Sequence, residues 1–272
     1  MDFKLFDLSG RVAIITGGAG LLGVQHAEAI AECGGIPILW DINYNKSLKE
    51  AERIKKEFNL PSIGMNVDVT NYKSVQEGFQ KVLNSFRRID ILINNAASNP
   101  TLNNGNAWSR LENFSLDLWE KDIAVGLTGS FICSQIIGTY MAKNNGGVIV
   151  NIASDYGIIA PDQRIYRKEN LTDEKQLVKP VTYSVVKHGI IGLTKYLATY
   201  WSEKNIRVNC LCPSGVYANQ PDEFVKKLTT LIPMGRMANK DEYKGAIQFL
   251  CSDASSYMTG ANLTVDGGRT CW

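Results

Sequence analysis

The sequence has little net charge, no run of like charges and no long apolar run. Its 29 Lys and Arg residues against 27 Asp and Glu residues leave a formal charge of +2, which is too small to attract nucleic acid or an anionic membrane surface. No apolar run approaches the roughly 20 residues of a membrane span, and residues 1–10 lack the features of a signal peptide. These absences predict a cytoplasmic protein with neither a nucleic-acid nor a membrane partner.

Cysteine and histidine are also sparse, and their spacing does not suit a metal. The six cysteines are scattered, and the closest pair, Cys210 and Cys212, has one intervening residue, whereas zinc-binding pairs usually have about two to four. The two histidines, His26 and His188, fall within helical stretches. We therefore expect reduced thiols, no metal site, and histidines that are helix residues rather than catalysts.

What the sequence does contain is a regular alternation of apolar runs and helical periodicity. Runs typical of buried strands cover residues 12–16, 36–40, 65–69, 89–94, 148–153, 208–212 and 263–265. Stretches with helical spacing lie between them, at 24–33, 47–58, 74–86, 118–143 and 184–201. Continuous rather than alternating apolar runs disfavour a half-solvated sheet. The pattern predicts an α/β fold with a doubly wound parallel sheet of the Rossmann type, in a single domain over residues 1–272.

Two stretches interrupt this alternation, residues 98–113 after the fourth strand and residues 155–181 after the fifth. Ligands bind at the carboxyl edge of an open α/β sheet. Both stretches are therefore candidate substrate loops, and the second is an insertion between the fifth strand and the next helix. The alternative interpretation is surface decoration.

A glycine-rich turn follows the first strand and opens a helix, with Gly17, Gly20 and Gly23 at intervals of three. Glycines at this point let backbone N–H groups approach a pyrophosphate, which the helix N-terminus also favours. Asp41 ends the second strand roughly 20 residues further on, where a carboxylate accepts hydrogen bonds from the adenosine ribose. Because it repels a 2′-phosphate, NAD is predicted over NADP, although Lys46 is near. The alternative for Asp41 is a helix cap.

Tyr183 and Lys187 lie four residues apart, on one face of a predicted helix. A phenol with a pKa near 10 is a poor acid–base catalyst at neutral pH, and an adjacent cation lowers that pKa. Tyr200 and Lys204 have the same spacing. The two tyrosines would lie roughly 25 Å apart along a helix, so only one of them can serve one site.

The order of the motifs resembles that of the short-chain dehydrogenase/reductases over nearly the whole chain. The motifs are the glycine turn, Asp68 with Val69, Asn94 to Ala97, Asn151 to Ser154, Tyr183 with Lys187, Pro213 to Val216, Tyr257 to Gly260, and Asp266 to Gly268. In that family a serine follows the fifth strand and the Tyr–Lys helix comes next. The resemblance therefore selects Tyr183 and leaves Tyr200 as a packing residue.

The resemblance also implies an NAD(P)-dependent alcohol dehydrogenase or ketoreductase that forms a homotetramer or homodimer. Tyr183 would exchange a proton with the substrate oxygen, Ser154 would hydrogen-bond that oxygen, and Lys187 would hold the nicotinamide ribose and depress the tyrosine pKa. The implied cofactor-binding residues are Gly17, Gly20, Leu21, Leu22, Asp41, Asp68, Val69, Asn94, Ala96, Tyr183, Lys187 and Val216.

Three features depart from the family pattern. The glycine spacing is that of the extended branch, while the Asp-Gly-Gly ending is that of the shorter branch. Ser214 and Ala218 stand where the family usually has Gly and Thr. Gly126 takes the place of the family's fourth catalytic residue, an Asn that supports a proton path to the lysine. A glycine has no side chain for this task, so the proton relay is expected to be rerouted or slow.

The leading hypothesis is an oxidoreductase that moves a hydride between nicotinamide and a hydroxyl or keto carbon of a small polar substrate. Alternatives are an NAD-binding regulatory or scaffold protein, suggested by Gly126, and a sugar epimerase or dehydratase that uses NAD transiently. Polar residues of the two loops predict an anionic or sugar-like substrate, and they weakly resemble bacterial enzymes of surface-sugar and flagellin-glycan modification. These residues are Asn103, Asn104, Asn106, Asp162, Gln163, Arg164, Tyr166, Arg167 and Lys168. The alternative is an oligomer contact or a solvated loop.

Overall fold

A computed structural model describes residues 4–98 and 107–272. Within those ranges the strands form one seven-stranded sheet in the order β3-β2-β1-β4-β5-β6-β7, and every neighbouring pair is parallel. The strands are β1 Val12–Thr16, β2 Ile36–Asp41, β3 Ile63–Asn66, β4 Ile91–Asn94, β5 Gly147–Ile152, β6 Ile206–Pro213 and β7 Asn262–Val265. The chain reverses its direction of winding between β1 and β4, which opens a crevice at the carboxyl ends of these strands.

Helices cover both faces of the sheet. They are α1 Leu21–Glu32, α2 Tyr44–Phe58, α3 Tyr72–Phe86, α4 Leu116–Lys143, α5 Val181–Tyr200, α6 Asp222–Thr229 and α7 Lys244–Cys251. Asn43 and Asn71 cap α2 and α3 by accepting from the backbone N–H three residues on, which satisfies donors that a helix start leaves unpaired. Short 3₁₀ turns at Asp155–Gly157, Gln163–Tyr166 and Asp173–Lys175 shape the stretch between β5 and α5.

The core lies in two layers, one on each face of the sheet. Ala13 and Ile15 of β1 belong to the layer that includes α1 and α7, while Val12 and Ile14 belong to the layer that includes α3 and α4. All five residues of β1 are buried. Burial on both faces explains why the strands have continuous apolar sequences. The predicted doubly wound α/β fold is confirmed.

Two details of the sequence prediction are corrected. The third strand is Ile63–Asn66 rather than residues 65–69, because Asn66 is its last residue paired with β2. Val67 and Val69 are still buried, but they pack from the loop that follows. Val67 N still donates to the Asp41 carbonyl, whereas Val69 is buried beyond the last strand pair, so the apolar pattern extended past the end of the strand.

The second correction concerns α4. The sequence analysis found no apolar run of membrane-spanning length, but this helix of 28 residues is long and apolar enough by composition to cross a membrane. Its side chains show instead the burial of a core helix, since Cys133, Ile137 and Met141 are fully buried against the sheet layer that contains Ile14. Two π-helical segments, Ala124–Thr128 and Ser134–Gly138, interrupt it. Such wide turns often mark functional sites.

Candidate active site

A cleft of about 970 Å³ opens at the carboxyl ends of the strands. One end is lined by the turns after β1, β2 and β3, and the other by the residues after β5, by α5 and by the segment after β6. Almost every residue that the sequence predicted to bind the cofactor or to take part in catalysis lines this cleft. These are Gly17, Gly20, Leu21, Leu22, Asp41, Asp68, Val69, Ala96, Ser154, Tyr183, Lys187 and Val216.

The glycine turn is too crowded for side chains at two of its glycines. Gly17 has φ +59°, and a Cβ atom there would lie 3.0 Å from Ala96 Cα. A Cβ atom on Gly23 would lie 2.1 Å from the Gly17 carbonyl oxygen. Gly20 caps α1 without any side-chain hydrogen bond, so the first N–H groups of α1 have no side-chain acceptor. The turn therefore fits an anionic group such as a pyrophosphate.

Asp41 is the last residue of β2, and its carboxylate is bound by two backbone N–H groups. Ala19 N donates to Oδ2 over 3.0 Å and Asn43 N donates to Oδ1 over 2.9 Å. The helix-cap alternative does not apply, because Asn43 is the residue that caps α2. A carboxylate has about four lone-pair sites, so two remain for ligand hydroxyls. Lys46 is exposed and does not line the cleft.

Asn94 is the one predicted cofactor residue outside the cleft lining. It is 2% exposed, and its Nδ2 donates to Ser134 Oγ and to Asn151 Oδ1. It therefore ties β4 to α4 and β5 instead of facing a ligand. Asn95, the next residue, does line the cleft, and its Nδ2 donates to the Thr16 and Gly17 carbonyls. Alternation along the strand end explains this shift of one residue.

Ser154, Tyr183 and Lys187 meet at the other end of the cleft. Ser154 follows β5, and α5 begins at Val181, so its first turn presents Tyr183 beside the serine. Lys187 Nζ donates to the Ile152 carbonyl over 2.8 Å and lies 5.8 Å from the centre of the Tyr183 ring. Tyr200 is 65% exposed and stacks on Tyr196. Tyr183 therefore lies in the cleft with Ser154 and Lys187, and Tyr200 does not.

The protonation chemistry of this group differs from the sequence expectation. Burial raises the pKa of Tyr183 to about 12, and a hydrogen bond with Ser154 opposes that rise. Burial also lowers the pKa of Lys187 to about 8. The pKa of Tyr183 is therefore raised in this arrangement and not depressed as expected from Lys187, because removal of the phenol from water is the largest cause.

The polar groups around the triad include two that the sequence analysis did not single out. Asp155 accepts from Ser154 Oγ over 2.6 Å and from Ser214 Oγ over 2.8 Å. Lys179 Nζ lies 3.6 Å from the centre of the Tyr183 ring, a cation–π contact. Burial lowers the pKa of Lys179 to about 8, while attraction to Asp155 opposes that change. The only sequence signal for these two residues was their position, Asp155 directly after Ser154 and Lys179 just before α5.

The stretch 155–181 lines the cleft, but of its residues that were expected to do so only Tyr166 does. Tyr156, Tyr166 and Lys179 face the cleft. Arg164 is 81% exposed and pairs with Asp162, and neither it nor Arg167 is in the cleft lining. These arginines therefore give no support to an anionic substrate, because Arg164 on the Gln163–Tyr166 turn points to solvent. Asn103, Asn104 and Asn106 lie outside the described residues.

Gly126 sits in the first π-helical segment of α4, at a close contact with α5. A Cβ atom there would lie 2.5 Å from Val186 Cγ1, and Val186 precedes Lys187 in sequence. Ser130 Oγ donates to the Gly126 carbonyl over 2.9 Å. The glycine therefore has a packing reason, since the two helices could not approach this closely around a side chain.

Neither histidine contributes to the cleft. His26 is fully buried in α1, and burial lowers its pKa to about 3. His188 is exposed, and its Nδ1 contacts the Ser184 carbonyl oxygen at 3.0 Å within α5. All six cysteines are free. These placements agree with the interpretation of both histidines as helix residues.

A doubly wound sheet with a glycine turn at one end of its cleft and a Ser, Tyr and Lys at the other is typical of nucleotide-dependent oxidoreductases. The chain matches the family model described as short chain dehydrogenase over residues 11–166, and one described as enoyl-(acyl carrier protein) reductase over residues 170–270. An NAD-dependent glycerol dehydrogenase from Listeria innocua serovar 6a is 32% identical, with 99% of each chain covered.

Two further relatives extend the comparison. A D-threitol dehydrogenase from Mycolicibacterium smegmatis is 33% identical over 99% of this chain and 96% of the relative. The crystal structure of a gluconate 5-dehydrogenase from Burkholderia cenocepacia J2315, in complex with NADP and tartrate, superposes with a TM-score of 0.87 at 27% identity, with 100% of both chains covered. The protein belongs to the short-chain dehydrogenase/reductase family.

Proposed function

We propose that the protein is an NAD-dependent dehydrogenase and ketoreductase that acts on a small polyol or its ketone. The observation that carries this proposal is the convergence of Ser154, Tyr183 and Lys187 on one end of a cleft whose other end holds the glycine turn and Asp41. The acid–base groups can then act on a substrate that lies beside a nucleotide bound at the glycine turn. The family relationship supports an oxidoreductase, and the relatives act on polar hydroxy compounds.

The nucleotide would be held by the turn at Gly17 and Gly20, by Asp41 at the adenosine ribose and by Lys187 at the nicotinamide ribose. When bound, the cofactor supplies the hydride acceptor or donor. NAD is the proposed partner because the carboxylate of Asp41 repels a 2′-phosphate. No Lys or Arg is present among the described residues that line the cleft from Gly17 to Thr70. NADP-bound and NAD-dependent relatives both exist, so this preference rests on Asp41 alone.

Tyr183 is proposed to transfer the proton of the substrate hydroxyl, and Ser154 to donate a hydrogen bond to the reacting oxygen. The raised pKa of Tyr183 keeps the phenol protonated at neutral pH, which suits proton donation to a ketone. Oxidation of an alcohol needs the phenolate, which the nearby ammonium groups of Lys179 and Lys187 favour electrostatically.

The polyol class is supported by the groups that line the substrate end of the cleft. Asp155, Ser214 and Lys179 are polar, and the phenol groups of Tyr156 and Tyr166 stand with them. Phe224, Leu228 and Met237 add apolar surface to the lining, and the polar groups supply the hydrogen-bond partners that hydroxyls need. The names of the glycerol and threitol relatives agree with this class. Residues 155–181 are proposed to form the substrate wall, and polyols replace the surface-sugar assignment because no arginine is among the described lining residues.

The non-catalytic alternative loses its main support, because the contact between Gly126 and Val186 provides a packing reason for the glycine. A single domain over residues 1–272, a cytoplasmic location and a homodimer or homotetramer stay predictions from the sequence.

The experiment is a screen of NADH formation and consumption with polyols from glycerol to mannitol, their ketones, and a long-chain apolar ketone. We expect net NADH production from at least one polyol and none from the apolar ketone's alcohol. An epimerase would leave the NADH concentration unchanged while its substrate is converted. Preference for the apolar substrate would overturn the proposal.

A further inference from the structure

Asp155 is a buried carboxylate in the wall of the cleft, beside Ser154 in sequence and in space. The residue is 4% exposed. Its Oδ1 accepts from Ser154 Oγ over 2.6 Å and from Tyr156 N over 2.8 Å, and its Oδ2 accepts from Ser214 Oγ over 2.8 Å. The carboxylate thus accepts three hydrogen bonds as long as Ser154 donates to it.

The hydroxyl of Ser154 has one proton and can donate it to one acceptor at a time. In the proposed function Ser154 donates to the reacting oxygen of the substrate, so it must then release Asp155. Oδ1 keeps only the Tyr156 N–H, and a buried carboxylate that loses a donor is destabilised. A hydroxyl of the substrate could replace the lost donor.

The position of that hydroxyl is set by the distance between the two protein groups. Ser154 Oγ and Asp155 Oδ1 lie 2.6 Å apart, a separation that suits two substrate oxygens on neighbouring carbons, one bound to each group. We propose that Asp155 is a specificity-determining residue that accepts a hydrogen bond from the hydroxyl next to the reacting carbon. The enzyme then prefers vicinal diols and α-hydroxy ketones over isolated alcohols and ketones. This inference rests on the proposed function.

The negative charge of Asp155 also favours a hydroxyl over an anionic group on the neighbouring carbon. A carboxylate or phosphate on the neighbouring carbon has no proton to donate and would be repelled by Asp155. Asp155 takes no part in the bond changes. A bound nicotinamide would supply the hydride acceptor, the reacting hydroxyl would lose its proton to the Tyr183 phenolate, and the neighbouring hydroxyl would keep its proton throughout.

The test compares three alcohols of equal carbon number: butane-2,3-diol, butane-1,3-diol and butan-2-ol, each with NAD⁺ in excess. For the unmodified enzyme we expect kcat/KM for butane-2,3-diol to exceed that for the other two by at least about tenfold, which corresponds to about 1.4 kcal/mol. Equal kcat/KM values for the three would overturn the inference and leave the proposed function intact. Absence of turnover with any polyol or alcohol would instead overturn the proposed function.

Asp155→Asn should reduce that preference to less than about threefold, chiefly through a lower kcat/KM for the vicinal diol. Asp253→Asn is the matched control, because Asp253 also pairs with a basic side chain, Arg11, but lies outside the stretch 155–181 and does not line the cleft. Its kcat/KM values should stay within about twofold. If Asp155→Asn folds poorly, Asp155→Ser provides a second variant, and the comparison of substrates in the unmodified enzyme does not depend on either.

A binding measurement separates recognition from chemistry. In the Tyr183→Phe background with NAD⁺ present, ligand-observed NMR should give a dissociation constant for butane-2,3-diol that Asp155→Asn raises at least about fivefold, with that for butan-2-ol unchanged. An equal change for both ligands would mean that Asp155 only supports the local structure, and this would overturn the assignment.

Discussion

The contact between α4 and α5 at Gly126 predicts a measurable packing energy. In Gly126→Ala the new Cβ atom would lie 2.5 Å from Val186 Cγ1, whereas ordinary contacts begin at 3.4 Å. Val186 is 6% exposed and packs in a core cluster with Ala153 and Ile190, so it cannot move freely. Overpacking of this kind costs about 1–3 kcal/mol, while replacement of a helical glycine by alanine favours the helix by about 1 kcal/mol.

Gly192→Ala is the control that isolates the packing cost. Gly192 lies in α5, is exposed and would have nothing within 4 Å of a Cβ atom. Gly192→Ala should therefore gain the higher helix propensity of alanine and incur no packing cost. We therefore expect the free energy of unfolding of Gly126→Ala to be about 1–3 kcal/mol below that of Gly192→Ala, measured by urea denaturation at one protein concentration.

A double variant tests whether Val186 is the cause. Val186→Ala removes both Cγ atoms, so it should destabilise the Gly126→Ala protein less than the unmodified protein, with a coupling energy of at least about 1 kcal/mol. Additive effects, or equal stability of Gly126→Ala and Gly192→Ala, would refute the packing argument. A well-folded Gly126→Asn variant with faster turnover would show instead that a relay residue is missing.

Two further predictions concern the cofactor and the buried lysine. In a fluorescence titration, NADH should bind at least about tenfold more tightly than NADPH, and Asp41→Ala should reduce the ratio of the two dissociation constants. Tighter binding of NADPH by the unmodified protein would contradict the role of Asp41. The pKa of Lys187 falls from 10.5 to about 8 on folding. Burial of its charge therefore costs about 3 kcal/mol below pH 8, and the cost disappears as the pH rises to 10.5. Lys187→Met should raise Tm at pH 7 and lose this advantage by pH 10; a pH-independent difference would show that the lysine charge is not responsible.

The sheet and the glycine turn could be predicted from the sequence because their signals are local. Burial of β1 on both faces requires a continuous apolar run, and the turn after it requires glycine at Gly17, where φ is positive. The end of β3 could not be predicted, since Val67 and Val69 remain buried after strand pairing stops. Composition reports burial, but it does not report which backbone groups are paired.

The residues that line the substrate end of the cleft could not be predicted, because the sequence does not show where each side chain points. Arg164 and Lys179 both belong to the stretch before α5, yet Arg164 pairs with Asp162 in solvent and Lys179 lies over the Tyr183 ring. Asn94 and Asn95 are adjacent, and only Asn95 lines the cleft. The pKa of Tyr183 depends on how completely the phenol is buried, which follows only from the packed structure.

The central claim is that Tyr183 is the acid–base group of a nucleotide-dependent dehydrogenase, and paired tyrosine variants test it most directly. Tyr183→Phe keeps the ring and removes the hydroxyl, so kcat for the best polyol should fall at least about a hundredfold while NADH affinity stays within a few-fold. Tyr200→Phe, in an exposed residue stacked on Tyr196, should change neither. Loss of turnover in Tyr200→Phe with normal turnover in Tyr183→Phe would contradict the account.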